Sequence, residues 1–324
     1  MKTSLITIGT LAVTGLVVSA LIAPKLAFAG DQFTIANFGG ATQMAQRRAF
    51  FEPFTKATGI KIKEDEYNSE TAKVRAMVES KTVSWDVVDG WSVWVNQLCA
   101  EGVIEAIDWK RLGLKRSRFV GTYECGVPSI ISAGVLAYDK EKLPNGPKTI
   151  ADLFDTQKFP GKRGLNKGPK YNLEWALIAD GVPINDVYKV LNTPEGVDRA
   201  FRKLDTIKKG AVWWVSGAQP PQLLADGQVV MTSAWNGRIW DAVKNSAKHF
   251  EITWDAAIWD AADVWVIPKG TPNLDNAYKF IAFASTPQAQ ANFAQYIPYG
   301  PANKDAMALV DPAILPDFRL RPTI

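Results

Sequence analysis

One histidine and two cysteines in 324 residues leave little material for the common catalytic and metal chemistries. His249 stands in the polar stretch Lys248-His-Phe250, and no G-x-S-x-G elbow offers it a nucleophile to activate. No histidine pair or cysteine cluster has the spacing of a zinc site. Neither a P-loop nor a G-x-G-x-x-G turn occurs, so no nucleotide cofactor is expected. Two carboxylates acting on a glycoside need no sequence motif, and a secreted hydrolase of that kind stays open as an alternative. Charge of one sign is also lacking. The formal net charge is +4, and residues 1–29 hold two lysines and no acid, so their removal leaves about +2, no footprint for nucleic acid. Beyond residue 29 no apolar run is long enough to span a bilayer.

What is present begins with an export signal. Lys2 precedes an uncharged stretch from Leu5 to Ala23, and Ala27-Phe-Ala29 supplies small residues before Gly30. That pattern predicts a signal peptide over 1–29, cleaved to release a periplasmic protein. The remaining 295 residues exceed the usual size of one domain, so two are expected. In an oxidising compartment Cys99 and Cys125 form the simplest disulfide, against the alternative of two buried thiols.

The chain then alternates strands and helices. Strands are expected at Phe33–Asn37, Ile60–Glu64 and Trp85–Asp89. Helices fall between them over Ala41–Thr58, with a break near Pro53, and Thr71–Ser80, and another runs from Ser92 to Glu101. A second set follows: strands Val135–Tyr138, Val212–Val215, Val229–Ala234 and Asp263–Pro268, with helices at Thr149–Phe154, Asn172–Asp180, Pro194–Lys208, Tyr278–Ala284 and Pro287–Phe293. Phe201 and Leu204 are placed on one face of the helix Pro194–Lys208. Trp235-Asn-Gly237 reads as a turn. Such alternation predicts an α/β fold with parallel sheets.

Twelve tryptophans are the strongest positive signal. An indole face attracts an ammonium by about 0.5–2 kcal/mol, so several of them suit a small cationic amine. Trp85, Trp109 and Trp265 are expected in the core, where large rings usually go. Ligands of open parallel sheets bind beyond the carboxyl ends of strands. Phe38, Asp89 with Trp91, and Trp235 occupy such positions. Asp89, Glu174 and Asp263 are the acids placed to meet an ammonium, although Asp89 also suits a helix cap and Glu174 a solvated helix face. Gly39-Gly40 before a helix can hold an anion on bare N–H groups, which fits a ligand carrying a carboxylate.

The ordered set Asn37-Phe-Gly-Gly40, Phe54-Thr-Lys-Ala-Thr-Gly-Ile-Lys61, Trp85-Asp-Val-Val88, Glu101-Gly-Val-Ile-Glu-Ala-Ile-Asp108, Leu136-Ala-Tyr-Asp139, Ser233-Ala-Trp-Asn-Gly237, Asp263-Val-Trp-Val-Ile-Pro268 and Ile297-Pro-Tyr-Gly-Pro301 resembles the periplasmic spermidine/putrescine-binding proteins. The resemblance implies a two-lobe, type II periplasmic-binding-protein fold with a hinge of two crossing strands. Lobe 1 is expected over 31–133 and 267–324, and lobe 2 over 134–266. It implies Phe38 and Trp235 as aromatic walls, Glu174 and Asp263 as ammonium partners, and Tyr299 as a further ring. The implied function is that of a monomeric receptor, not an enzyme. It binds a putrescine- or spermidine-like amine in the interlobe cleft and closes on it by population shift. It then delivers the amine to an ABC permease in the inner membrane. Departures from the family weaken the diamine reading. Trp91 and Val93 replace its serine and tyrosine beyond the third strand, and an aspartate one helical turn before Glu174 is missing near Tyr171. They point to a shorter or singly charged amine, or a related nitrogen compound, and the alternative in the same fold is an amino-acid-like or opine-like zwitterion whose carboxylate is held by Gly39-Gly40. The resemblance also implies a further terminal helix beyond Arg321-Pro-Thr-Ile324.

Overall fold

The computed structural model describes residues 32–246 and 248–318. The signal peptide expected over 1–29 and the chain end at 321–324 lie outside the described residues.

Apolar runs of four or five residues, covered on both faces, make the central strands. β1 (Phe33–Asn37) is buried throughout. Phe33 and Ile35 join one core with Phe50, Phe54, Phe280 and Phe293. Ala36, on the opposite face, joins Val74, Trp85, Val88 and Leu98. The two-residue period of the strand thus seats two layers of helices on one sheet. β2 (Ile62–Glu66) and β3 (Val87–Trp91) pair with β1 in parallel. Both start two residues later than the sequence suggests, which carries Trp91 into the strand itself.

Two long strands continue the sheet. β4 (Val127–Asp139) and β8 (Phe250–Val266) pair antiparallel along their length, with irregularities between Pro128 and Leu136. The carboxyl end of β8 pairs with β3, placing Asp263 opposite Trp91. The far end of β4 pairs with β7 (Met231–Trp235), whose parallel neighbour is β5 (Arg163–Asn166), followed by β6 (Ala211–Trp214). The order is therefore β2-β1-β3-β8-β4-β7-β5-β6, with β9 (Gly300–Pro301) against β4. Two parallel units are joined through β4 and β8, the two-lobe arrangement of type II periplasmic binding proteins. Val264 and Val266 pack with Trp85 and Val88, so β8 reaches the first unit ahead of the return expected near residue 266.

Several local readings change. Residues 40–58 form a helix widened into a π turn at Arg47–Phe51, just before Pro53, where the missing N–H is absorbed. Trp235-Asn-Gly237 is not a turn: a helix starts at Asn236 and runs to Ser246. Phe201 and Leu204 lie one turn apart on the helix Pro194–Asp205, Leu204 buried and Phe201 exposed. Trp85 and Trp265 are fully buried and Trp109 is half-buried against the same core. Cys99 and Cys125 form a disulfide with Cα atoms 5.6 Å apart, tying the helix Ser92–Ala100 to the segment that enters β4. His249 is exposed beside Glu141.

Candidate ligand-binding site

The carboxyl ends of β1, β3, β5 and β7 converge on one cavity of about 380 Å³, a volume in the range of small-ligand sites. Phe38 follows β1, Trp91 ends β3, Asn166 ends β5 and Trp235 ends β7, and all four line it. Asp263 and Tyr299 complete its wall. Of the seven residues selected from sequence, five therefore meet here: Phe38, Trp91, Trp235, Asp263 and Tyr299. The other two do not line it. Asp89, inside β3, is fully buried, its Oδ2 accepting a hydrogen bond from Gln46 Nε2 at 2.6 Å. Glu174 lines a neighbouring cavity of about 370 Å³ with Lys170, Tyr188 and Asp260.

The aromatic walls support one another. Trp235 packs edge-on against Trp91 with centroids 6.1 Å apart, and against Trp214 at 5.4 Å. Gly217 lies beneath the Trp235 ring, so close that a Cβ there would fall 2.2 Å from it. Phe38 stacks on Tyr67. Trp94 also lines the cavity, its ring lying over Gly90. Tyr299 is almost fully buried. Burial pushes its phenol up to about 12, with Arg238 pulling the other way.

Arg238 is the residue that sequence reasoning missed. The helix Asn236–Ser246 starts at the end of β7, and its first residue anchors it. Asn236 Oδ1 accepts from the Ala133 backbone N–H at 3.0 Å, and Nδ2 donates to Pro298 O at 3.0 Å. Two residues on, Arg238 enters the cavity, buried to 3% exposure. Its Nη2 donates to Phe38 O at 3.2 Å. Nε and Nη1 have no hydrogen-bond partner among the described residues. Asp89 and Asp263 supply part of the negative charge this buried guanidinium needs, and its two unsatisfied donors suit a further anion. Gly40 makes room for it: with φ at +58°, a Cβ here would lie 2.5 Å from Nη1. The signal was legible in principle, because Arg238 directly follows the motif Ser233-Ala-Trp-Asn-Gly237 at a strand end.

The facing acid is Asp263. Burial pushes its carboxyl well above the ordinary value and the charge of Asp89 adds to this, while Lys170 and Arg238 offset it. Burial also pushes Asp89 up to about 7, against the Gln46 hydrogen bond and Arg238. The cavity thus presents two cationic side chains, Arg238 and Lys167, one carboxylate, Asp263, and a set of rings. It can hold one negative and one positive group across a short apolar span. No group of three or more metal-ligating side chains occurs among the described residues.

A two-lobed α/β frame with a ligand-sized cleft at its strand ends is the arrangement of a class: the solute-binding receptor of an ABC importer. The chain belongs to the bacterial extracellular solute-binding protein family, whose model matches residues 49–318. That membership sets aside the hydrolase alternative. A γ-aminobutyric acid-binding protein of Pseudomonas aeruginosa is 50% identical, over 86% of this chain and 79% of that protein. The solved structure of a GABA receptor is 38% identical, with a TM-score of 0.76 over 88% of this chain and 87% of the other. The Agrobacterium tumefaciens binding protein MotA in complex with glucopine is 33% identical, with a TM-score of 0.82 over 88% and 89% of the two chains. The resemblance to spermidine/putrescine-binding periplasmic proteins also holds, at 25% identity to that of Salmonella typhimurium over 84% of this chain and 78% of that protein.

Proposed function

We propose that this protein is an exported receptor for a short ω-amino acid of the γ-aminobutyrate type, which it presents to a membrane permease. The observation that carries the reading is Arg238, buried in the cavity wall with Nε and Nη1 unpartnered. A ligand carboxylate would take those donors as a charge-assisted pair. The ligand's ammonium would meet Asp263, with the faces of Trp91 and Trp235 beside it. Two cations, Arg238 and Lys167, and one acid, Asp263, line the wall, which favours a ligand bearing a carboxylate beside its ammonium. A putrescine-like diamine also suits the rings and Asp263. It leaves the Nε and Nη1 donors of Arg238 unused, however, and sets a second ammonium near Arg238 and Lys167. The 50% identical γ-aminobutyric acid-binding protein and the GABA receptor structure support the same choice, and the glucopine complex marks a larger zwitterion as the nearest alternative. On this reading Phe38 and Tyr299 close the apolar span, and Asp89 tunes Asp263 without touching the ligand. The two lobes meet around the bound solute, and the permease engages that closed form.

The experiment is calorimetric titration of γ-aminobutyrate into the wild type and Arg238→Gln. Losing one partner of a buried charge pair costs about 2–5 kcal/mol, so the variant should bind about a hundredfold more weakly while melting at a similar temperature. Unchanged affinity in a folded Arg238→Gln protein would reject the carboxylate assignment.

A further inference from the structure

We propose that Lys170 is the residue that keeps diamines out of this cleft, its own ammonium occupying the surroundings that a ligand's second ammonium would need. The inference rests on the zwitterion reading above and deepens it.

Lys170 is mostly buried, with 15% of its side chain exposed, and it forms an ion pair with Asp260. Its Nζ lies 4.4 Å from the Trp91 ring centroid and 5.2 Å from that of Tyr171. Asp263 and Glu174 act on it as further acids. Carboxylates and aromatic faces around a compact cation are what an alkylammonium ligand requires. Here the chain provides that cation itself. The backbone holds it in place: Tyr171, the next residue, adopts φ +69°, and its ring lies against Gly134, where a Cβ would fall 2.5 Å away. Burial pulls the ammonium down to about 8, while Asp263 and Glu174 hold it up, so it stays protonated at neutral pH.

The position relative to the two cavities makes this a device for selection. The Trp91 ring lines the ligand cavity, and Lys170 stands over that ring in the neighbouring one. Val93 lines both. Beyond it Glu174, 8% exposed, accepts a hydrogen bond from Tyr188 at 3.4 Å on Oε1 and has no partner for Oε2. Without Lys170, Asp260 and Glu174 would lose the cation beside them and Asp263 would keep only Arg238, an environment for an added ammonium next to the Trp91 and Tyr171 rings. With it, only Asp263 remains to bind an ammonium from outside, and the other end of the ligand must satisfy Arg238.

The test titrates putrescine and γ-aminobutyrate into the wild type, Lys170→Met and Lys170→Arg, with melting curves to establish that each is folded. Lys170→Met should bind putrescine at least about tenfold more tightly than the wild type, the scale of a close charge interaction, with little change for γ-aminobutyrate. Lys170→Arg keeps the cation and should stay blind to putrescine. The double variant Lys170→Met/Glu174→Gln should lose the gain. If Lys170→Met does not fold, Lys170→Gln serves in its place. A folded neutral variant as blind to putrescine as the wild type would overturn the proposal, and so would putrescine binding gained in Lys170→Arg. A wild type that itself prefers putrescine over γ-aminobutyrate would instead reject the zwitterion reading beneath it, a distinct result seen before any variant is made.

Discussion

Asp89 and Asp263 carry opposite duties although they stand on neighbouring strands. Asp263 faces the cavity; Asp89 faces Gln46 and leaves Oδ1 without a partner among the described residues. Tyr67 donates to the Asp89 backbone oxygen at 2.6 Å and so gives its carboxylate no help. A carboxyl raised to about 7 retains in the folded state a proton that the unfolded chain loses near pH 4. Its contribution to stability is therefore largest in acid, falls as pH rises from about 4 to about 7, and is level above that. Asp89→Asn keeps a neutral side chain throughout. Its melting temperature should match the wild type near pH 4 and exceed it increasingly up to about pH 7.5; parallel melting curves across that range would contradict the assignment. At this scale the sequence was half legible. Rings and acids at strand ends can be selected from position, as Phe38, Trp91, Trp235 and Asp263 were. Asp89 and Trp91 share one face of β3, so depth decides between them: the strand runs two residues further than the sequence suggests, leaving Asp89 inside it while Trp91 reaches the cavity. Arg238 can be selected from its place just after Ser233-Ala-Trp-Asn-Gly237, but its unsatisfied donors and the burial of Lys170 exist only in the fold.

Among the elements, the helix that opens at Gly40 and the one that opens at Asn236 set the site's reach. They approach closely enough that Arg238 touches Phe38 O and leaves no space for a side chain at residue 40. Gly40→Ala places a Cβ 2.5 Å from Nη1 at a φ of +58°. It should weaken γ-aminobutyrate binding by about tenfold or more, with about 1–2 kcal/mol of backbone strain. Gly59→Ala is the control. Its φ is +74° with nothing within 4 Å of a new Cβ, so it should incur similar strain and leave affinity unchanged. Equal affinity in both variants would mean that Arg238 does not depend on the approach at Gly40. The elements themselves follow the sequence where the period is strong. β1 lies where the apolar run places it, and the helices at Thr71, Pro194 and Pro287 start at their polar or proline signals. The helix from Asn236 was hidden by Asn-Gly, a pair that favours turns in isolation; here Asn236 is bound on both sides by buried backbone. β8 spans 17 residues, but aspartates and alanines within it dilute the alternation that marks a strand.

Across the whole molecule, two parallel units share β4 and β8, and the ligand cavity opens where their strand ends face each other. Both units contribute charge. Asp263 pairs with β3 of the first unit, whereas Arg238 follows β7 of the second. A zwitterion would therefore be gripped by its two ends from two bodies, and both charges would be needed to stabilise the closed arrangement. Calorimetric titration of the wild type with four compounds of similar length tests this most directly: γ-aminobutyrate, butylamine without the carboxylate, butyrate without the ammonium, and putrescine with a second ammonium. Only γ-aminobutyrate should bind, with each of the others weaker by about a hundredfold or more. Putrescine or butylamine binding as tightly as γ-aminobutyrate would contradict the account.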